Sequence, residues 1–233
     1  SQFYSPQPTA PEKIYEINKY HNKSGHYLGF DYKYRISSAI LFGEISLLNL
    51  NKPTYINGIK IFPYSFLEAE IVQRHYPNTC LVMYNNGFSN GNTNSNERGI
   101  YSGISIKINY NTGITVCRDF CTHDNATYSS PVSTDESANS IYLKYTINND
   151  FMFRCGYKLN INENTEEDSD FKTKKKIEEK RELIDLRWEK KSEKFSHSIG
   201  LTSSLFKGSE NDKGFLTFYQ TKISISEFFS VYL

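Results

Sequence analysis

The sequence lacks most of the features that would name a function. No stretch approaches the roughly eighteen continuous apolar residues of a membrane-crossing helix. The first residues, SQFYSPQPTAPEKIYEINKY, have no apolar core of a secretory leader, so a secreted route is not expected. Neither sign of charge dominates: 27 Lys and Arg against 26 Asp and Glu leave a net charge of +1. That near-balance argues against a global field for nucleic acid or for a strongly acidic partner. Cysteine is scarce, and the spacing of Cys80, Cys117, Cys121 and Cys155 suggests no disulfide framework, so these are expected as reduced structural thiols. His21, His26, His75, His123 and His197 form no H-x-x-x-H pair. There is no phosphate-cradling G-x-x-x-x-G-K loop. The expectation is a non-enzyme, with no catalytic residue and no cofactor.

Tyr, Phe and Asn are plentiful: 18 Tyr and 16 Phe stand against a single Trp, a composition that leans to strands and turns. The clearest pattern is residues 140–161. Ile141, Leu143, Tyr145 and Ile147 alternate with Tyr142, Lys144, Thr146 and Asn148. After Asn149 and Asp150, Phe151, Phe153, Cys155, Tyr157, Leu159 and Ile161 take one parity, with Met152, Arg154, Gly156, Lys158 and Asn160 on the other. Successive strand side chains point to opposite faces, so this is a hairpin of two strands, each apolar on one side only. Its second run is about eleven residues, near the 9–11 of a tilted bilayer-crossing strand.

Similar units recur. Residues 36–48 are apolar on both parities or bulged near Gly43; Tyr55–Phe62 is a strand ended by Pro63; 66–74 reads as a strand rather than the helix its propensities also allow; Cys80–Tyr84 is another short strand. Ile104, Ile106 and Ile108 alternate with polar residues, and Asn111-Thr112-Gly113 signals a hairpin into Ile114 and Val116. Residues 183–188, 195–206 and 215–232 complete the set, and 85–98 and 122–139 read as polar loops. The acidic run ENTEEDSD (163–170) followed by KTKKKIEEKR (172–181) reads as a solvated loop or exposed helix. The fold expected is all-β: an antiparallel meander of about 11–13 strands forming a barrel, with a β-sandwich as the alternative. Residues 1–25 form a polar extended segment, and 26–233 a single β domain with the charged insertion at 163–181. Asn22-Lys23-Ser24 and Asn125-Ala126-Thr127 match the glycosylation sequon, which chance supplies readily in an Asn-rich chain.

Two groups of residues carry whatever site there is. Cys117, Cys121 and His123 place three zinc-capable side chains within seven residues. On a strand, however, Cys117 and Cys121 stand about 13 Å apart at about 3.3 Å per residue, too far for one ion, so no metal is expected. Asp119, Asp124 and His123, or Glu68 and Glu70, could be imagined as acid–base groups, but no spacing makes either set specific. Lys144, Arg154 and Lys158 occupy the polar face of the 140–161 hairpin, which is a lumen in a barrel and a surface in a sandwich.

GIKIFPYSFLEAEIVQRHYP (58–77) carries Gly58, Pro63, Ser65, Leu67, Glu68, Ala69, Arg74 and Pro77, and is followed in order by TGITVCRDFCTH (112–123), FMFRCGYKL (151–159) and DLRWEKKSEKFSHSIG (185–200), the last with Trp188 and Glu189. In these segments the chain resembles the fungal mitochondrial distribution-and-morphology outer-membrane β-barrel, shared by the ER–mitochondria encounter structure and the sorting and assembly machinery. The resemblance implies a non-enzymatic barrel of the mitochondrial outer membrane. Its apolar parities would meet lipid, and it would act in organelle tethering and membrane-protein assembly through protein partners. The competing expectation is a soluble, cytoplasmic all-β interaction module binding through loops 85–98 and 122–139. Neither reading involves nucleic acid.

Overall fold

In the computed structural model of the chain, the described residues are 26–48, 52–78, 88–89, 95–126, 130, 132–148, 150–167, 174–192, 195–208, 211–226 and 229–232. They form twelve strands: β1 Tyr27–Ile36, β2 Ala39–Leu48, β3 Lys52–Tyr64, β4 Leu67–Tyr76, β5 Glu97–Lys107, β6 Thr112–His123, β7 Thr134–Asn148, β8 Phe151–Glu167, β9 Lys174–Lys191, β10 Phe195–Lys207, β11 Asn211–Ser226 and β12 Phe229–Tyr232. All belong to one sheet in sequence order, each antiparallel to the next. The all-β meander expected from the period-two pattern is thus present. The sandwich alternative is not, because there is one sheet rather than two packed sheets. Among the described residues β1 pairs only with β2 and β12 only with β11, so the sheet is not closed into the expected barrel.

Local chemistry explains the turns. β1 and β2 are joined by Ser37 and Ser38, with Ser37 at φ 48°, the left-handed backbone that a two-residue hairpin needs. The Asn148 side-chain oxygen accepts from the Asp150 and Phe151 amides at 3.0 and 2.9 Å, and Asn109 does the same for Asn111 at 2.9 Å; both are Asx turns. Pro63 falls where the β3–β4 register shifts, between Ile61 and Tyr64, the kind of irregularity that tolerates a residue without an amide proton.

Several expectations are corrected in the same direction, toward longer strands. Glu97 and Arg98, within the expected polar loop 85–98, open β5; the loop expected over 122–139 yields its ends to β6 and β7. Residues 163–167 and 174–181, expected as solvated loop or helix, extend β8 and β9, where Lys176 meets Glu163 at 2.8 Å. Opposite charges facing one another across a hairpin stabilise it, a cross-strand effect that composition alone does not register. Residues 66–74 are strand rather than helix over 67–74, as their surroundings favour. The single run expected over 215–232 divides into β11 and β12. The N-terminal segment 1–25 and the strand expected at 80–84 lie outside the described residues, as does most of 85–98.

The register sorts side chains onto two unlike faces. One carries Ile59, Ile71, Ile104, Val116, Ile141, Leu143, Phe153, Tyr157, Leu186, Trp188, Ile199 and Tyr219. The other carries Glu44, Lys60, Glu70, Arg74, Glu97, Tyr101, Asp119, His123, Lys144, Arg154, Asp185, Arg187 and Thr202. At the β4–β7 end burial runs opposite to polarity. Ile71, Ile104, Ile141 and Ile199 are 53%, 49%, 46% and 48% exposed, and they sit on interior strands, so their exposure is not an edge effect. Arg74 and Glu97, by contrast, are each 1% exposed. β2 is the exception that the sequence signals. It is apolar on both sides, with Phe42 lying across Gly58, where a Cβ would come 2.3 Å from its ring.

Candidate functional site: a buried charged cluster

The most enclosed part of the polar face lies at one end of β4–β7. Arg74 on β4 faces Gly99 on β5, which faces Cys121 on β6. Because Gly99 has no side chain, the Arg74 guanidinium crosses over β5; a Cβ there would sit 2.6 Å from its Cζ. Arg74 Nε donates to Glu97, and its two terminal nitrogens donate to both Asp119 carboxylate oxygens at 2.7 and 3.2 Å. A planar fork on a carboxylate is the arrangement arginine makes and lysine cannot. The guanidinium also lies 5.3 Å from the centre of the Phe88 ring. Both side chains of the Arg74–Glu97 pair are fully buried, where a charge needs a partner.

Beyond them lies His123, past Phe120, the last outward apolar residue of β6. Its Nδ1 is 2.9 Å from the Asn96 carbonyl oxygen, to which it donates. Its Nε2 is 3.4 Å from Glu136. Burial lowers the His123 pKa, but the bonds to Cys121, Glu136 and the Asn96 carbonyl outweigh it and push the value up to about 10, so the ring is an imidazolium at neutral pH. Asn96 takes φ 57°, a backbone that Asn tolerates, and clamps the segment after β6: its side-chain oxygen accepts from the Asn125 amide at 2.9 Å and its nitrogen donates to the Asn125 carbonyl at 2.8 Å.

The metal candidates are redistributed. Cys121 and His123 do come together, and with Glu97 they place three donor atoms within 4.8 Å of one another. Cys117 is not among them. It lies two same-face positions along β6 and accepts a bond from the Tyr101 hydroxyl at 3.1 Å, as the strand spacing requires. Glu97, Cys121 and His123 are the residues that could hold a divalent ion, provided Arg74 released Glu97. Cys117, Cys121 and Cys155 are in no disulfide.

The other sequence candidates separate. Asp119 belongs to the Arg74 cluster, whereas Asp124 pairs with the exposed Arg98 at 2.6 Å, away from it. Glu68 and Glu70 share Lys60 on the polar face, at 2.5 and 3.6 Å. Lys144, Arg154 and Lys158 all lie on the polar face with Glu68 and Glu189; Leu67, Ala69 and Trp188 lie on the apolar face. Arg74 stands out in the sequence only as a position of the resembling segment, and Glu97 falls in a stretch with the composition of a loop. The available signal is parity: Glu68, Glu70, Val72, Arg74 and Tyr76 share one face of β4, and no run of that length carries so much charge toward an ordinary apolar core.

No family model matches this chain, and neither a curated protein nor a solved structure matches it.

Proposed function

We propose that the chain is a non-enzymatic β-barrel of an outer membrane, working through protein partners in membrane-protein assembly or organelle tethering. The observation that carries this reading is the inversion of the two faces. Bilayer-crossing barrels turn apolar side chains outward and polar ones to the lumen with a two-residue period. Here isoleucines on interior strands are half exposed, while Arg74, Glu97, Asn96, His123, Ser130 and Thr134 are buried. Soluble monomers seldom expose contiguous apolar patches beyond a few hundred Å².

Details of the apolar face agree. Tyr145, Phe153, Trp188, Ile199 and Tyr219 form one continuous cross-strand row, and the next row carries Lys190 and His197. An aromatic girdle beside charge is how such a barrel meets the headgroups. On β8 the apolar parity runs from Phe151 to Ile161; on β9 it narrows to Ile184, Leu186 and Trp188, bounded by Glu182 and Lys190. A bilayer also leaves no backbone edge unpaired, so the reading requires β1 and β12 to be covered in the membrane. The assembly and tethering roles rest on the resemblance of 58–77 and the later segments to the mitochondrial distribution-and-morphology barrel. The test is extraction of membranes with alkaline carbonate: the chain is expected in the pellet, and release into the supernatant would overturn the reading in favour of a soluble module.

A further inference from the structure

The polar face holds a second concentration of charge, remote in sequence from the Arg74 cluster and unlike it in balance. Lys144 on β7 lies directly opposite Arg154 on β8, and Arg154 directly opposite Arg187 on β9. Like charges facing each other across strands repel, and directly opposed residues are the closest pairs a sheet offers. Yet among the described residues no carboxylate comes within ion-pair distance of Lys144, Arg154 or Arg187, or of Lys158 one row away. The two acidic residues nearest in sequence on this face are engaged elsewhere. Asp185 accepts from Thr202 at 2.8 Å, and Glu189 lies 3.9 Å from Lys191. The Arg187 Nε is buried with no hydrogen-bond partner. Buried polar atoms without partners are rare, and one on a guanidinium beside two other cations is an unmet demand for an anion.

The surroundings suit such a guest. Glycine flanks the three cations on both sides: Gly113 opposite Lys144, with Lys107 opposite Gly113 in turn, and Gly200 opposite Arg187. Over Gly113 the nearest atom to a built Cβ is a backbone oxygen at 3.7 Å, so the Lys144 end is open. Over Gly200 the Phe218 ring fills the space and stacks 5.2 Å from the Arg187 guanidinium, fixing the plane of its fork. A cleft of about 150 Å³ adjoins the row, lined by Lys144, Thr146, Met152 and Lys191 together with two carboxylates, Asp150 and Glu189.

The geometry points to a binding site on this face for a phosphate-bearing polyanion, held by Lys144, Arg154 and Arg187. Two guanidinium forks and an ammonium supply charge-assisted donors to several phosphate oxygens at once, which a single carboxylate could not satisfy. Net charge plays no part, since the chain as a whole carries only +1. The site stands on the polar face alone and does not depend on what covers the apolar one.

The test is calorimetric titration of the folded full-length chain with inorganic tripolyphosphate at fixed ionic strength, because exposed electrostatics are screened by salt. Arg154→Gln and Lys144→Gln are each expected to weaken binding at least tenfold. Lys207→Gln, which removes an exposed partner of Glu182 from the other face, is expected to leave it unchanged. Tripolyphosphate should also raise the unfolding midpoint of the wild type and not of Arg154→Gln, a readout that separates lost binding from lost folding. No binding by the wild type, or equal losses in Arg154→Gln and Lys207→Gln, would overturn the assignment.

Discussion

Replacing Arg74 with Leu is expected to cost about 3–5 kcal/mol of stability, the usual penalty for removing one partner of a buried ion pair. Glu97 would lose its guanidinium partner while remaining fully buried, and Asp119 would lose both of its guanidinium bonds. Little space exists for rearrangement, because the guanidinium fits the gap above Gly99 and lies against Phe88. The cost measures buried carboxylates stripped of their guanidinium rather than the value of the pair. The triple variant Arg74→Leu, Glu97→Gln, Asp119→Asn should therefore recover most of it. Urea titration of the folded chain in detergent or lipid checks both. A loss below about 1 kcal/mol for the single variant, less than a buried ion pair requires, would contradict the buried network.

The second large effect is on the opposite face. Leu143→Arg is expected to destabilise the bilayer-inserted chain by about 2–4 kcal/mol, as a charge near the membrane midplane does. Leu143 lies between Ile114 on β6 and Cys155 on β8, in the middle of the apolar face, and is 37% exposed in the isolated chain. Were that face bathed in water, the same substitution would fall within about 0.5 kcal/mol, as exposed substitutions do. Were it the core of a soluble fold, burial of an unpaired charge would abolish folding. Unfolding titrations of the variant reconstituted in vesicles tell the three apart.

The alternation of Ile141, Leu143 and Tyr145 against Lys144, and of Phe153 and Tyr157 against Arg154, makes both strands and faces legible in the sequence, because period two follows from backbone geometry alone. Which face is enclosed is not legible there. A lipid-facing strand and a core-facing strand write the same pattern, and only burial of the polar parity separates them. The charged runs after Ile161 mislead because Glu163 and Lys176 are thirteen residues apart in sequence and become neighbours only through the β8–β9 register. The Arg74 cluster is hidden for the same reason. Arg74, Glu97 and Asp119 come from three strands, and the glycine that lets them meet, Gly99, directly follows a stretch with the composition of a loop.

Trp188 offers the most direct test of the central claim, that the apolar face is the one lipid covers. It is the single tryptophan of the chain and lies on that face, in the aromatic row beside Lys190. Its fluorescence in vesicles of brominated phospholipid therefore reports one known position with no background. The account predicts strong quenching by bromine placed toward the headgroup end of the acyl chain and little by aqueous acrylamide. Quenching by acrylamide with none from brominated lipid would contradict it.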